Sequence, residues 1–269
     1  MAAEITLLGV CYDGSSSFFR GAASAPPVIR EALWSEAGNP WTETGINLSA
    51  VGIEDEGDLV FGEGEEGEDV RRTIEAAAER VVDSGSRLLV LGGDHSITYP
   101  VLRGFRPHHP RLSVLHLDAH PDLYDDFEGD RYSHACPFAR AMEEGLVDRL
   151  VQVGIRTMTG HQREQARRFG VEVMEMKDWR DGTELGLDGP VYLSFDLDVI
   201  DPGLAPGVSH REPGGLSVRQ ALSVVQSFRG RLIGADFVEF NPVSDPTGLT
   251  GSVSAKVVKE LAGRLLVEP

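Results

Sequence analysis

Six residues of this chain, His95, Asp118, His120, Asp122, Asp196 and Asp198, are of types and spacings that hold metal ions. They fall in three clusters, each just after a short apolar run that reads as a strand: 87–91, 112–117 and 191–195. On an extended chain, side chains at i, i+2 and i+4 leave the same face. Asp118, His120 and Asp122 can therefore point one way, and so can Asp196 and Asp198. Six ligands exceed what one tetrahedral zinc takes. Two imidazoles and four carboxylates with no thiolate suit a pair of hard divalent ions such as Mn2+. Taken singly, an Asp after a strand is a common cap or turn former, and a lone His is commonly a hydrogen-bonded core residue. Four carboxylates meeting in a buried site without cations would repel one another strongly. Three such clusters, on the tips of neighbouring strands, point to a metal centre.

The elements that must position these residues are legible as an alternation. Strands are expected at 5–9, 48–52, 87–91, 112–117, 150–154, 171–175, 191–195 and 232–237. Helical patterns lie between them at 26–33, 69–84, 97–104, 138–145, 162–169, 218–228 and 250–265. Ser217 is placed as an N-cap, and Gly230 stands where a C-cap would lie. Apolar strands separated by helices read as a parallel sheet covered on both faces. Ligands of such sheets gather at the carboxyl ends of the strands, where all three clusters fall. With no repeat and no Pro/Ser-rich linker, residues 1–269 are expected to form a single domain.

Composition narrows the function. At 41% hydrophobic residues the chain can build a core, and no stretch approaches the roughly 20 apolar residues of a membrane span. The N-terminus, Met-Ala-Ala-Glu-Ile-Thr, lacks the pattern of a signal peptide. Two cysteines, Cys11 and Cys136, give no disulfide framework and fit a reducing cytoplasm. A formal charge of −18 argues against nucleic acid as a partner. The acidic run 63–69 is expected to be an exposed loop leading into a helix.

The motifs resemble a known family. Gly92-Gly93-Asp94-His95-Ser96, Asp118-Ala119-His120-Pro121-Asp122 and Ser194-Phe195-Asp196-Leu197-Asp198-Val199-Ile200-Asp201-Pro202 are similar to the three signatures of the ureohydrolases, which include arginases and agmatinases. The similarity starts at Gly9-Val10-Cys11-Tyr12-Asp13, passes through Gln152-Val153-Gly154-Ile155-Arg156 and ends at Glu239-Phe240-Asn241-Pro242. The resemblance implies a three-layer α/β/α sandwich around a mostly parallel eight-stranded sheet, and two Mn2+ per chain. His95, Asp118, Asp122 and Asp196 would hold one ion. Asp118, His120, Asp196 and Asp198 would hold the other, with Asp118 and Asp196 bridging. Such a pair lowers the pKa of a water enough to attack a guanidine carbon, a poor electrophile. Asp122 would also accept a hydrogen bond from that water and aim it. By the same resemblance His134 is the proton shuttle, Glu239 pairs with the substrate guanidinium, and the chain forms a homo-oligomer, a trimer or hexamer.

The substrate is read from the loop at 123–137. Its Tyr132-Ser133-His134 stretch resembles agmatinases more than arginases and its acids favour an amine-ended tail, so the leading expectation is agmatine, hydrolysed to putrescine and urea in polyamine metabolism. Two departures pull the other way. Ala135-Cys136-Pro137 stands where agmatinase-like chains usually have Gly-Thr-Pro, and His210-Arg211 stands where small residues and threonines are usual. Arg211 could clamp a substrate carboxylate or pair with an acid of the 125–130 loop. Arginase, guanidino-acid hydrolase and formimidoylglutamase activities remain alternatives, as does a non-catalytic metal-binding subunit. His116 shares the parity of Asp118 and is expected to be a satisfied buried His. Asp94 and Asp201 are expected to hold backbone N–H groups in turns. Residues 12–13 and 15–17 could edge the pocket, and Cys136 is not expected to act as a nucleophile.

Overall fold

The structure, a computed structural model, describes residues 4–62 and 64–267. Its strands are β1 (Ile5–Cys11), β2 (Ile53–Val60), β3 (Arg87–Leu91), β4 (Ser113–Leu117), β5 (Arg149–Ile155), β6 (Glu172–Glu175), β7 (Pro190–Asp196) and β8 (Arg231–Val238). They form one sheet in the order β2-β1-β3-β8-β7-β4-β5-β6, and every neighbouring pair is parallel. Parallel pairing throughout puts every carboxyl end on one rim. The central strands β3, β8, β7 and β4 therefore deliver the residues that follow them to one place. The three strands that lead into the candidate ligands are not all adjacent, because β8 runs between β3 and β7 and brings Glu239 into the middle of the rim.

The helices are α1 (Ala25–Leu33), α2 (Glu68–Asp83), α3 (Thr98–Phe105), α4 (Pro137–Glu143), α5 (Gly160–Phe169), α6 (Val218–Ser227) and α7 (Leu249–Leu265). In α2 the apolar residues Val70, Ile74, Ala77, Ala78 and Val81 recur on one face, and all are buried. They join α3, α4 and α5 residues in the core on one side of the sheet. Residues of α1, α6 and α7 make the core on the other side. Strand side chains alternate between the two: Leu89 and Leu91 face one core, Leu88 and Val90 the other. This is the expected three-layer α/β/α sandwich. Both α5 and α6 begin with a capping box, Thr159 with Gln162 and Ser217 with Gln220.

Two expectations are corrected. The second strand is not at 48–52. Asn47 accepts the Ser49 N–H and caps a short 3-10 turn, Leu48–Ala50, and the strand follows at Ile53–Val60. That strand is at the sheet edge, reads Ile-Glu-Asp-Glu-Gly-Asp-Leu-Val, and leaves its acids largely exposed. Charges suit an edge, where they deter pairing with another chain, but they hide a strand from a search for apolar runs. Gly230 is not a C-cap, since α6 ends on Phe228 with extended backbone. A Cβ at Gly230 would lie 2.4 Å from the Val191 side chain, so close packing requires the glycine. In the acidic run, residue 63 lies outside the described residues. The remainder is exposed or half-buried and leads into α2. Among the described residues no helix is long and apolar enough to cross a membrane.

Candidate metal centre and active site

The six expected ligands come together at the carboxyl rim. After β3 the chain turns through Gly92-Gly93 into a short 3-10 turn that starts at His95. The turn passes the backbone just after β1 so closely that a Cβ on Gly93 would lie 1.7 Å from the Tyr12 carbonyl oxygen, which accepts the Asp94 N–H. Only glycine permits that approach. Buried Asp94 caps the turn by accepting the Ser96 N–H, and its other oxygen accepts the Ser15 N–H. Asp201 accepts the Gly203, Gly214 and Gly215 N–H groups. Both aspartates thus hold turns, as expected.

Extended alternation is not what gathers the second cluster. The strand stops at Leu117, and Asp122 takes a left-handed φ of 48°. Glu239 does likewise at 64°. Non-glycine residues avoid this region unless the surroundings hold them there, and such strain concentrates at functional sites.

Around His95 Nδ1 lie three carboxylate oxygens: Asp122 Oδ2 at 3.0 Å, Asp118 Oδ2 at 3.2 Å and Asp196 Oδ2 at 3.2 Å. The nitrogen is fully buried, yet none of these oxygens is placed to accept a hydrogen bond from it. His95 Nε2 is engaged elsewhere, 2.9 Å from Ser194 Oγ, and that hydroxyl donates to Asp236 Oδ1. Nε2 is thereby the donor, and the lone pair of the neutral ring sits on Nδ1, facing three carboxylates. A second group forms beside it. His120 Nδ1 is 3.0 Å from Asp198 Oδ2 and 3.4 Å from Asp118 Oδ1. Asp118 thus reaches both groups, one oxygen to each. Asp196 reaches the first through Oδ2, while its Oδ1 accepts the Asp198 N–H.

The electrostatics call for cations. Burial, then Asp198 and Asp118, push the Asp196 carboxyl well up. Burial also raises Asp198, against the opposing pull of His120. Burial favours the neutral form of His95, but Asp118, Asp122 and Asp196 outweigh it and favour positive charge on the ring. Hard oxygen donors with two imidazoles, an orphaned buried nitrogen and a carboxylate shared between two groups fit a pair of divalent ions.

Supporting groups fix the ligands, and the sequence signalled few of them. His116 is fully buried. Its Nε2–H donates to Asp118 Oδ2 at 2.7 Å, and its Nδ1 accepts from Gln152 Nε2 at 3.0 Å. It is a satisfied buried His, as expected, and it also orients a ligand carboxylate. Asp236 accepts hydroxyl bonds from Thr98, Tyr192 and Ser194. Nothing in strand β8 distinguishes this Asp by spacing. Gly154, at φ 102°, lets β5 pass beneath Asp118, where a Cβ would lie 2.7 Å from the Asp118 carbonyl oxygen.

A cavity of about 190 Å³ opens over the centre, lined by His120, Asp122, Asp196, Asp198, His134 and Glu239. Glu239 Oε1 accepts the His95 N–H at 2.9 Å and lies 3.0 Å from His134 Nδ1. Its Oε2 has no hydrogen bond among the described residues. Burial raises the Glu239 carboxyl, but the His134 hydrogen bond and charge outweigh this and lower it overall. Burial opposes charge on His134, yet Glu239 lifts it to about 9. Its Nε2 lies 2.9 Å from Ser17 Oγ.

The outer wall adds Ser17, Tyr124, Phe127, Thr157, Thr159, Gln162 and His210. Ser17 edges the pocket as expected. Tyr12 instead packs on Phe61, and Asp13 accepts the Gly21 and Ala23 N–H groups. Cys136 is buried, and burial pushes its thiol up to about 12, so it is no nucleophile.

The acids of the 123–137 loop do not point at the cavity. Asp125 pairs with Arg131 and Arg140, Asp126 accepts the Gly129 N–H, and Asp130 accepts the Tyr132 N–H. Arg211 neither pairs with this loop nor lines the cavity; its Nε donates to the Pro206 carbonyl. Neither the loop acids nor Arg211 is therefore placed to read the charge of a substrate's tail.

The family description "Arginase family" matches residues 3–263 of the chain. The chain belongs to the arginase family. It is 46% identical to the mitochondrial arginase of Medicago truncatula over 281 aligned positions, covering 98% of this chain and 83% of that protein. It is 34% identical to a guanidinobutyrase of Pseudomonas aeruginosa, covering 97% and 86%. The solved arginase structure from Medicago truncatula superposes with a TM-score of 0.90 at 44% identity, covering 98% of this chain and 88% of that one. The protein is thus a hydrolase of the arginase family, acting on C–N bonds of small guanidino or amidino compounds.

Proposed function

We propose that the protein is an arginase, hydrolysing L-arginine to urea and ornithine with two Mn2+ per chain. The observation that carries the reaction type is the orphaned Nδ1 of His95 facing three carboxylates beside a cavity that contains Glu239 and His134. The choice of arginine over agmatine rests on the arginases among its relatives and on the loop acids being held away from the cavity. Neutral hydrogen-bonding groups, Ser17, Thr157, Thr159 and Gln162, line the outer cavity and suit a tail bearing both an amino group and a carboxylate.

His95, Asp118, Asp122 and Asp196 would hold one ion; Asp118, His120, Asp196 and Asp198 the other. When bound, the ion pair supplies Lewis acidity and a water of lowered pKa. Glu239 Oε2 receives guanidinium N–H groups and orients the carbon over the centre. Asp122 would accept a hydrogen bond from a water held there and aim its lone pair. As the carbon–nitrogen bond to the alkyl amine breaks, His134 gives that nitrogen a proton. Glu239 favours the protonated imidazole the step requires.

The same proposal treats the chain as one catalytic domain, assembled as a homo-oligomer. Its two free cysteines suit a reducing compartment, whether cytoplasm or organelle matrix. A urea-release assay with Mn2+ across arginine, agmatine, guanidinobutyrate and formimino-glutamate is expected to show the highest kcat/KM on arginine. A higher kcat/KM on agmatine would overturn the substrate, and no hydrolysis of any of the four would overturn the reaction.

A further inference from the structure

Among the described residues, His210 is the cavity-lining imidazole that neither the metal groups nor the Glu239–His134 pair employs. It stands on the loop between β7 and α6, half-buried, with its ring centroid 5.2 Å from His134 at 34° and 5.9 Å from His120 at 77°. The ring therefore sits against both the imidazole that faces Glu239 and the imidazole that faces Asp198. On another side it meets Phe18, 5.7 Å away, an exposed aromatic of the segment after β1. No side-chain hydrogen bond among the described residues engages His210. Its backbone is nonetheless held firmly. Val208 bridges to Phe240, the Gly207 carbonyl accepts the Asn241 N–H, and Ser209 Oγ donates to the Phe19 carbonyl. Asn241 Nδ2 ties Ser209 and Phe19 together. A pinned loop thus presents an unbonded aromatic ring to the cavity, beside the carboxylate assigned to the guanidinium.

A guanidinium is planar and weakly hydrated, and it stacks on aromatic faces. Hydrogen bonds from Glu239 act in the plane of that group and leave its faces uncovered. A ring lining the same cavity covers a face, excludes water and restricts rotation.

We propose that His210 is a substrate-binding residue whose ring packs on the flat face of the substrate's guanidino head, with Phe18 closing the mouth behind it. The role belongs to the ring rather than to its nitrogens. The inference rests on the proposed hydrolase activity, and the experiment separates the two. Wild-type enzyme loaded with Mn2+ is assayed first on the guanidino panel; activity there secures the reading on which this one stands.

His210→Ala and His210→Gln are then expected to lower kcat/KM about tenfold, chiefly through KM, as loss of a desolvated cation–π contact would. His210→Phe is expected to recover activity to within about threefold of wild type, with an unshifted pH profile, because it keeps a face of similar kind. Metal content and Tm should match wild type in all three. The inference is overturned if the Ala and Gln variants keep wild-type KM, or if Phe is as impaired as Ala. The latter would assign the role to the imidazole nitrogens. Loss of bound Mn2+ in the Phe variant would also overturn it, by making His210 a prop for His120.

Discussion

At the scale of single residues, the proposed function divides the site into side chains for metal and side chains for substrate. His120 faces Asp198 and Asp118 in the second candidate metal group, whereas Glu239 is anchored to the His95 N–H and His134 and keeps one oxygen free. The two should therefore fail differently. His120→Asn should bind about one Mn2+ per chain instead of two, and lose turnover with little change in fold; metal analysis beside a kcat measurement reads both. Glu239→Gln should keep both ions. Its KM should rise about 10- to 100-fold, the worth of a charged hydrogen bond. Full activity of the His120 variant would refute the ligand assignment. An unchanged KM in the Glu239 variant would remove its role in binding guanidinium.

At the scale of elements, the site depends on how closely β1 and the turn after β3 pass each other. The Gly93 contact with the Tyr12 carbonyl leaves no room for a methyl group, and the neighbour is backbone that cannot step aside. Gly93→Ala should destabilise the protein by about 3 kcal/mol, the upper end for overpacking. For a chain of this size that lowers Tm by roughly 6–12 °C, readable by calorimetry. Because the turn carries His95, the variant should also lose metal at the first group. A wild-type Tm would mean that the strands can separate freely. The loop at 123–137 shows a related division of labour. Asp125, Asp126 and Asp130 latch onto Arg131, Arg140 and turn amides, while Tyr124 and Phe127 wall the cavity. An acidic stretch near a pocket therefore says little about the pocket's charge until the direction of each side chain is known.

At the scale of the whole molecule, the sheet concentrates negative charge. Asp118, Asp122, Asp196 and Asp198 are all buried at one rim of a chain whose formal charge is already −18. Bound dications should accordingly be part of what stabilises the fold, because they bind the folded arrangement and not the dispersed side chains. Dialysis against a chelator should lower Tm by several degrees, and Mn2+ should restore it. The same treatment should leave Tm unchanged in a variant with Asp118, Asp196 and Asp198 all replaced by Asn, where the repulsion is gone. An identical Tm for loaded and stripped wild-type protein would show that the rim is held together by protons and packing alone.

Much of this was legible in the amino-acid sequence. Apolar patterning marked seven of the eight strands and all seven α-helices among the described residues, and placed six candidate ligands at strand ends. Runs of buried residues and polar residues that break them are local facts, so one dimension suffices to see them. The edge strand β2 escaped because its exposed face carries acids in place of an apolar pattern. What the sequence could not decide was set by the order of strands. Only the sheet inserts β8 between β3 and β7, bringing Glu239 beside His134 and His95. Only the fold sets Ser194 and Asp236 behind His95, turns the loop acids away, and leans His210 against His120 and His134. These contacts join residues up to 144 positions apart. Their geometry follows from which strands pair and which turns cross, and those are properties of the packed molecule that no local spacing encodes.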